Sequence, residues 1–583
     1  MAPAQDRPDK EGTMPRDKKL KVILCWHMHQ PEYRRLSSGD FALPWTYLHA
    51  LKDYADMAWH LENQPGAKAV FNFVPVLLDQ LSDYGRQFDT GTFRDPLLAA
   101  LALPDLKVLG PAEREHILHS CFRANFEHMV NPFPAYRRLH DFYRMVTEDG
   151  KNHLQYLSNQ YFADLLVWYH LAWTGESVRR SYEEVARLLA KGSQFTPADR
   201  HALLRVLGEV IKGIIPRYRQ LAEQGHVELS STPYYHPILP LLQDLGVARE
   251  SLDAPLPQAP RYPGGDARAA WHIEAALASH QDYFGRAPVG MWPAEGGVSD
   301  ATLALLAKHR LRWAATGEGV LANSLRAAGD DPLPARHEYL YHPYRIQAGE
   351  QSIVCFFRDD RLSDQIGFEY AKWFGRDAVS HFVGALEDIW RHTRQQDDPV
   401  VSIILDGENA WEYYPYNGYY FLSDLYKTLA EHPHLELSTF AEYLAGGPDP
   451  AALPSLSHVV AGSWVYGTFS TWIGSPEKNR AWDLLCAAKE AFDHASATGL
   501  IGPAELTPAL HQLAICEGSD WFWWFGDYNP ADTVHDFDAL YREDLSNLYR
   551  LLKLQPPEAL RHAISTGQGH PAAGGTMRRA SDS

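Results

Sequence analysis

Acidic, imidazole and carboxamide side chains recur where short apolar segments of this chain end. These groups stand in His27-Met28-His29-Gln30-Pro31, Tyr235-His236-Pro237, Trp292-Pro293-Ala294-Glu295, Thr316-Gly317-Glu318, Arg358-Asp359-Asp360 and Asp406-Gly407-Glu408-Asn409, and Glu228 lies inside a further segment. Two carboxylates suit cleavage of a glycosidic bond, because one attacks the anomeric carbon while the other protonates the leaving oxygen and then activates water. The sequence has no Gly-rich phosphate loop after a segment and no G-x-S-x-G nucleophile elbow. These residue types therefore favour acid–base chemistry on a sugar bond.

The apolar segments themselves predict a parallel sheet. Seven of them are short, and several are apolar throughout instead of alternating: Lys21–Trp26, Ala69–Val74, His226–Ser230, Val289–Trp292, Arg312–Thr316, Ser352–Phe357 and Val400–Leu405. Strands that helices cover on both faces have this character. Apolar residues at helical spacing fill several intervals between them, as in Trp45–Leu61, Ala269–Tyr283 and Asp377–Thr393. The alternation of strand and helix predicts an α/β barrel or a doubly wound sheet.

A parallel barrel would bring the polar groups together. The carboxyl ends of its strands all point to one face, where active sites of such barrels are built. A single polar residue after a strand is commonly a solvated loop or a helix cap. Seven strands that deliver carboxylates and imidazoles to one rim instead indicate an active site.

The pattern also divides the chain into regions. We predict a disordered N-terminus at 1–18, a (β/α)7-type catalytic barrel at 19–435 with a helical insertion at about 85–220, a C-terminal helical domain at 436–562 that completes the active site, and a disordered tail at 563–583. Strand signals fade after about Ala430, whereas Ser475 and Pro476 begin a helix well as cap and first-turn residue. The tail is small and polar, which is typical of disorder.

Composition excludes several classes of partner. The net charge of −19 argues against nucleic acid and against an anionic membrane surface, whereas a neutral sugar is not disfavoured. Aromatic residues make up 12% of the chain, and their rings can pack flat against a sugar. The five cysteines are widely spaced and show neither metal-site nor disulfide spacing. The N-terminus is polar and no long apolar run occurs, so we expect a cytoplasmic protein.

Five separated motifs resemble glycoside hydrolase family 57, a family of α-amylases, amylopullulanases, 4-α-glucanotransferases, branching enzymes and α-galactosidases. The motifs, in chain order, are His29-Gln30-Pro31, then Gly225, Glu228, Thr232 and His236-Pro237, then Gly290-Met291-Trp292-Pro293-Ala294-Glu295, then Leu405-Asp406-Gly407-Glu408, and finally Glu517-Gly518-Ser519-Asp520-Trp521. One departure is Pro293, where many members carry a residue such as Leu. The resemblance spans about residues 20 to 530.

The resemblance implies a fold, a mechanism and a set of roles. The fold would be an incomplete (β/α)7 barrel followed by helices, and the mechanism would be retaining, with Glu295 as the nucleophile and Asp406 as the acid/base. The implied substrate-binding residues are His27, His29, Glu228, His236, Trp292, Arg358, Glu408, Trp464, Asp520 and Trp521. Glu408 would orient Asp406, raise its pKa or cap the following helix. We expect an α-glucan or maltooligosaccharide substrate, no cofactor and no metal. The sequence does not indicate an oligomeric state.

Several alternatives stay open at this stage. The blocks Phe357-Arg358-Asp359, Gly462-Ser463-Trp464 and Thr471-Trp472-Ile473-Gly474 look most like amylopullulanase and α-amylase-like members. A 4-α-glucanotransferase or branching-type transglycosylase would use the same intermediate. A metal-dependent carbohydrate deacetylase or mannosidase could use His27, His29 and Asp406 as ligands. A glucan-binding protein without turnover is the remaining alternative.

Overall fold

Ten β-strands form one sheet in the computed structural model, which describes residues 18–147, 154–569, 577 and 579. The strands are β1 (Leu20–Met28), β2 (Ala69–Phe73), β3 (Val227–Ser231), β4 (Gly290–Met291), β5 (Trp313–Thr316), β6 (Tyr344–Ala348), β7 (Gln351–Phe357), β8 (Val400–Asp406), β9 (Leu435–Ser438) and β10 (Ser455–Leu456). Their order is β10-β6-β7-β5-β4-β3-β2-β1-β8, and β9 pairs with the first half of β1. All pairs are parallel except β6 with β7.

The sheet curls until its two sides almost meet. An isolated bridge joins Arg358, just after β7, to Ser402 of β8, and the Asp359 N–H donates to the Ser402 carbonyl at 2.8 Å. The ring therefore runs β1-β2-β3-β4-β5-β7-β8. Among the described residues, β7 and β8 pair only through this bridge, which lies just beyond the carboxyl end of β7. These seven strands are the seven predicted from sequence, so the predicted incomplete (β/α)7 barrel is confirmed.

Twenty-three α-helices surround the sheet and follow it. They are α1 (Trp45–His49), α2 (Ala55–Asn63), α3 (Pro75–Thr90), α4 (Pro96–Ala102), α5 (Pro111–Cys121), α6 (Pro134–Thr147), α7 (Asn159–Ala172), α8 (Glu176–Ser181), α9 (Glu183–Lys191), α10 (Pro197–Glu223), α11 (Leu239–Gln243), α12 (Gly265–Phe284), α13 (Asp300–Lys308), α14 (Glu318–Ala328), α15 (Arg336–Tyr339), α16 (Asp360–Asp364), α17 (Gly375–Thr393), α18 (Tyr419–Ala430), α19 (Phe440–Gly446), α20 (Pro476–Ala497), α21 (Pro503–Cys516), α22 (Asp520–Trp524) and α23 (Ala531–Leu551). The count covers the described residues. Helices fill the interval from β2 to β3, and Ser475 caps α20 as its sequence predicts.

Alternation along the strands builds the barrel interior. Its buried apolar cluster contains Ile23, Cys25, Val70, Trp292, Trp313, Ala315, Val354, Phe356, Val400 and Ile404, and it is completed by Phe440, Tyr443, Leu444 and Leu453. Side chains two residues apart on a strand share a face. The next inward positions are therefore His27 on β1, Asn72 on β2, Arg358 after β7 and Asp406 on β8. The alternation of side chains along the strands therefore places four inward-facing polar groups at the carboxyl end of the barrel.

Three strands were missed by the sequence prediction, which placed the last strand signal before about Ala430. β9 and β10 are only four and two residues long, too short for a periodicity to stand out. β6 is a half-exposed partner of β7 across the turn at Gly349, and its burial alternates instead of being continuous. The sheet thus extends past the predicted boundary at 435.

Parts of the predicted termini can be compared with the structure. Residues 1–17 and most of the tail lie outside the described residues. Within the predicted tail, Ile564 and Ser565 are buried, and their backbone N–H groups donate to Asp538. In the described part of the chain, no helix combines the length and the apolar character that crossing a membrane requires.

Candidate active site

A cavity of about 720 Å³ lies at the carboxyl end of the barrel. Eight of the twelve predicted site residues line it: His27, His29, Glu295, Arg358, Asp406, Glu408, Trp464 and Asp520. They come from strands β1, β7 and β8, from the loops after β4 and β10, and from the helical region near α22. Residues distant in sequence therefore meet around one space.

Glu295 occupies a strained turn directly after β4. Its φ of 57° is left-handed, a conformation that non-glycine residues adopt rarely and that clusters at functional sites. The indole N–H of Trp464 donates to Glu295 Oε2 at 2.9 Å, and the Trp464 backbone N–H donates to the Glu295 carbonyl at 3.1 Å. Nδ1 of His236 lies 3.9 Å from Oε1. Trp464 therefore fixes both the backbone and the carboxylate of Glu295.

Asp406 ends β8, beside His27 of β1 in the strand register. Burial raises the pKa of its carboxyl to about 6, although the hydrogen bond from Asn409 and the positive charges of His29 and Arg358 act in the opposite direction. The Asn409 amide donates to Asp406 Oδ2 at 3.0 Å. A carboxyl group with a pKa in this range can hold a proton and release it near neutral pH.

Glu408 lies two residues beyond Asp406 and is almost completely buried. Its Oε1 accepts from the His29 backbone N–H at 3.1 Å, from Gln30 Nε2 at 3.2 Å and from the Tyr54 hydroxyl at 3.3 Å. Oε2 lines the same buried region and has no hydrogen-bond partner among the described residues. Burial, reinforced by the charge of Asp406, raises the pKa of Glu408 well above its usual range. Glu408 therefore anchors the His29 loop, since its side chain accepts from residues 29 and 30 and from Tyr54.

A chain of hydrogen bonds fixes two imidazoles. The Ser519 hydroxyl meets His236 Nδ1 at 2.8 Å, His236 Nε2 meets His27 Nε2 at 3.0 Å, and His27 Nδ1 meets Asn72 Oδ1 at 2.7 Å. Asn72 donates from its amide to Ser230, so its oxygen is an acceptor and His27 donates from Nδ1. His27 Nε2 then accepts from His236, which in turn accepts from Ser519.

Both imidazoles in this chain are neutral. Burial, and then the charge of His29, lower the pKa of His27 to about 3 and that of His236 well below its usual value. Each ring has one donating and one accepting nitrogen, and every one of the four nitrogens is used. His236 is fully buried and is not among the residues that line the cavity, and in this structure its ring supports its neighbours.

His29 projects beside this chain and contacts the helical region. Its Nε2 lies 2.7 Å from Asp520 Oδ1, and its ring stacks on His236 with centroids 3.8 Å apart. Ligand atoms of His29, His236 and Asp520 all lie within 4.8 Å of one another, which is the spacing of a possible metal site. However, both nitrogens of His236 already take part in the hydrogen-bond chain, so His236 has no free lone pair for a metal ion.

Arg358 and Trp464 form a wall of the cavity. The Arg358 guanidinium donates to the Ile404 carbonyl at 2.7 Å, to Asp360 at 2.8 Å and to Asp364 at 2.8 Å. Its carbon centre lies 5.3 Å from the Trp464 ring. Arg358 therefore braces the indole that holds Glu295, and most of its donors are used within the protein.

Three predicted substrate-binding residues lie away from the cavity. Glu228 is buried one layer down in the barrel, where Trp313 Nε1 and the Ala441 N–H each donate to it at 2.8 Å. Trp292 is fully buried in the barrel interior, behind Trp464. Trp521 donates to the Ile515 carbonyl and stacks on Tyr541 in the helical core. Each is a packing residue in this structure, because its polar atoms or rings face protein.

The sequence prediction did not include most of the aromatic wall. The rings that line the cavity besides Trp464 are Tyr33, Trp45, Phe126, Trp173, Phe368, Tyr413, Trp523, Trp524 and Phe537. Trp523 and Trp524 stand in the run Trp521-Phe522-Trp523-Trp524, of which the first two rings are core and the last two line the cavity. The run signals aromatic residues here but not which of them face the cavity. Phe126 and Trp173 come from the helical interval between β2 and β3, where no sequence signal points to the cavity.

A buried ion pair locks the segment that carries Ser519 and Asp520. Arg268 of α12 makes two bonds of 2.7 Å to Glu517, and His272 Nε2 and the Tyr262 hydroxyl also contact its carboxylate, at 2.7 and 2.5 Å. Burial alone would raise the pKa of Glu517, but the Arg268 charge and the hydrogen bonds outweigh it and lower this pKa to about 2. The lock joins the helical region to the barrel next to the imidazole chain.

Glu517→Gln should therefore destabilise the protein by about 3–5 kcal/mol, since it leaves Arg268 buried without its counter-charge. Urea unfolding of the variant and of wild type measures the difference. Because the pKa of Glu517 is lower in the folded protein than in the unfolded chain, the stabilisation is fully present at pH values above the usual pKa of a glutamate. The difference in free energy of unfolding between wild type and variant shrinks as pH falls towards 2. Glu558→Gln removes an exposed ion pair with Arg561 and is the matched control. Equal stability of Glu517→Gln and its control would show that the lock has no energetic role.

Comparison with known proteins gives the family of this chain and relatives of similar fold. The model of glycosyl hydrolase family 57 matches residues 23–453, which is most of the chain. Similar folds occur in the branching enzyme of Thermococcus kodakaraensis, at 15% identity, 91% and 90% coverage of the two chains and a TM-score of 0.57. The branching enzyme of Pyrococcus horikoshii (15%, 92% and 98%, 0.54) and the α-amylase AmyC of Thermotoga maritima (15%, 93% and 96%, 0.54) are similar too. The chain belongs to glycosyl hydrolase family 57.

Proposed function

We propose that this protein is a retaining glycosidase or transglycosylase of α-glucans, with Glu295 as the nucleophile and Asp406 as the acid/base. The observation that carries the proposal is that two carboxylates from different strands line one cavity in unlike environments. Trp464 holds Glu295 through an indole N–H. Burial gives Asp406 a pKa of about 6. One group is therefore oriented for attack and the other can carry a proton.

The reaction would proceed in two displacements. Glu295 attacks the anomeric carbon, the glycosidic C–O bond breaks, and the Asp406 proton passes to the leaving oxygen. The product is a β-glycosyl ester on Glu295 and an Asp406 carboxylate. This carboxylate then takes the proton of an incoming water or sugar hydroxyl, whose oxygen attacks the anomeric carbon and releases Glu295.

The substrate proposal rests on the cavity and on the relatives. A space of about 720 Å³ walled by aromatic rings suits several glucosyl units, because rings pack against the apolar faces of sugars. Structural relatives are described as branching enzymes and an α-amylase. Within this class we propose the α-amylase or amylopullulanase type that the Phe357-Arg358-Asp359 and Gly462-Ser463-Trp464 blocks indicate. Branching or 4-α-glucanotransfer is the alternative, and the predicted cytoplasmic location stays a prediction.

A metal-dependent reaction is the second candidate, favoured by the spacing of His29, His236 and Asp520. We expect activity to persist after dialysis against EDTA, because both His236 nitrogens are engaged within the protein. Loss of activity on chelation, with recovery on adding Zn²⁺, would support the metal-dependent alternative instead.

Glu295→Gln and Asp406→Asn should each lower kcat on maltooligosaccharides by at least about 10³-fold. Each replacement keeps the shape of the side chain but removes nucleophilic attack or proton transfer, so the melting temperature should change little. The measurement is the release of reducing ends together with a product profile from amylose, pullulan and glycogen.

Asp397→Asn is the matched control, because this carboxylate is exposed, pairs with Lys18 and does not line the cavity. Its activity should equal that of wild type. A Glu295→Gln or Asp406→Asn enzyme with near-normal turnover would exclude the assigned role.

Asn409→Ala should move the alkaline limb of the kcat/KM profile to higher pH. Asp406 must be protonated in the first step, so kcat/KM declines as pH rises through its pKa of about 6. The Asn409 amide favours the carboxylate form, and its loss raises the pKa of Asp406. Asn63→Ala, which removes an exposed amide on α2, should leave the limb in place. A limb that stays fixed or moves to lower pH in Asn409→Ala would contradict the assignment.

A further inference from the structure

A second cavity of about 330 Å³ adjoins the first. Trp45 and Arg123 line both of them. Arg123 lies 5.6 Å from the Trp45 ring and pairs with Asp536 at 2.6 Å. The two spaces therefore share these side chains as part of their walls.

Two helical segments also border both spaces. On the segment of α7, Tyr169 lines the second cavity, and Trp173, one turn later, lines the first. On α23, Asp536 lines the second cavity and Phe537 the first. The second cavity is thus a continuation of the candidate active site along the same walls.

Tyr169 lines the second cavity and carries an unused polar atom. The side chain is fully buried, and its hydroxyl has no hydrogen-bond partner within the described part of the chain. Burial raises the pKa of Tyr169 well above its usual value, so the hydroxyl keeps its proton. Trp173 Nε1, on the side of the first cavity, is likewise buried and unpartnered among described residues. Buried polar groups are nearly always bonded, so these two donors are groups that a ligand could engage.

The charges around the second cavity favour a neutral ligand. Arg35 pairs with Glu543 at 3.0 Å and Arg123 pairs with Asp536 at 2.6 Å. Both cations that line the space are therefore compensated, which leaves little attraction for a phosphate or another anion. Its remaining polar lining includes Ser120, His116 and His119, groups that can bond hydroxyls.

We propose that the second cavity binds a glucosyl unit of the same α-glucan chain, remote from the bond that is cleaved, and that the Tyr169 hydroxyl donates to this unit. The proposal rests on the proposed function, since it extends the same substrate beyond Trp45 and Arg123. It assigns a chain-length preference to residues of the interval between β2 and β3, where the family motifs do not lie.

Tyr169→Phe tests the proposal, because it keeps the ring and removes one hydroxyl. We measure kcat/KM on a series from maltotriose to maltooctaose. The variant should match wild type on the short members and fall by about fivefold on members long enough to reach the second cavity, as expected for one lost hydrogen bond. Its melting temperature should not decrease, since that hydroxyl has no partner among the residues that the structure describes.

Tyr136→Phe is the matched control. This tyrosine is also fully buried on a neighbouring helix, lines neither cavity, and donates its hydroxyl to the Cys121 carbonyl. It should lose thermal stability while keeping the wild-type dependence on chain length. The two variants thus separate a ligand contact from a packing effect.

A crystal structure of Glu295→Gln with maltooctaose provides a second readout. Sugar density against Tyr169 supports the proposal, and ordered water alone in that space overturns it. An unchanged chain-length profile in Tyr169→Phe also overturns it, while wild-type cleavage of the series leaves the proposed function intact. If wild type cleaves no member of the series, the proposed function fails and this inference fails with it.

Discussion

The hydrogen-bond chain from Ser519 through His236 and His27 to Asn72 is the interaction on which the candidate site depends. It crosses from the C-terminal helical region to the loop after β3 and then to β1 and β2. His27 stands beside Asp406 in the strand register, and His236 stands 3.9 Å from Glu295. Because the Asn72 oxygen accepts, His27 must donate from Nδ1 and accept at Nε2, and His236 must donate from Nε2 and accept at Nδ1. The chain therefore fixes the tautomers of His27 and His236. The buried Glu517–Arg268 pair holds the segment from which this chain starts.

Three carboxylates of the cavity, those of Asp406, Glu408 and Glu295, lie in different surroundings. Asp406 sits at the inner end of β8, where loss of water raises its pKa to about 6. Glu408, deeper still, has a pKa raised well above its usual range and anchors the His29 loop. Glu295 is held by Trp464, which Arg358 braces from behind. The barrel thus supplies the proposed acid, and Trp464, from the segment after β10, orients the proposed nucleophile.

Sequence reasoning predicted the seven barrel strands and the polar residues near their ends, because strands that helices cover on both faces are short and largely apolar throughout. The sequence could not predict in which layer of the barrel interior each inward-facing side chain lies. Glu228 and His27 both face inward, but Glu228 belongs to the layer of Trp313 and Cys25, and His27 belongs to the next layer up. Trp521 and Trp523 are two residues apart on a short helix, and only packing against Tyr541 decides which is core. Phe126, Trp173 and Arg123 reach the cavity from a long helical interval, whose docking is set by tertiary contacts that no local pattern records.

The central claim is that Glu295 and Asp406 act on one glucosyl unit through a covalent intermediate. The most direct test is to incubate the protein with 5-fluoro-α-glucosyl fluoride, digest it, and locate the labelled peptide by mass spectrometry. The account predicts one glycosyl adduct on Glu295, with Asp406 unlabelled. An adduct on Asp406 or Asp520, or turnover with inversion of the anomeric centre, would contradict it.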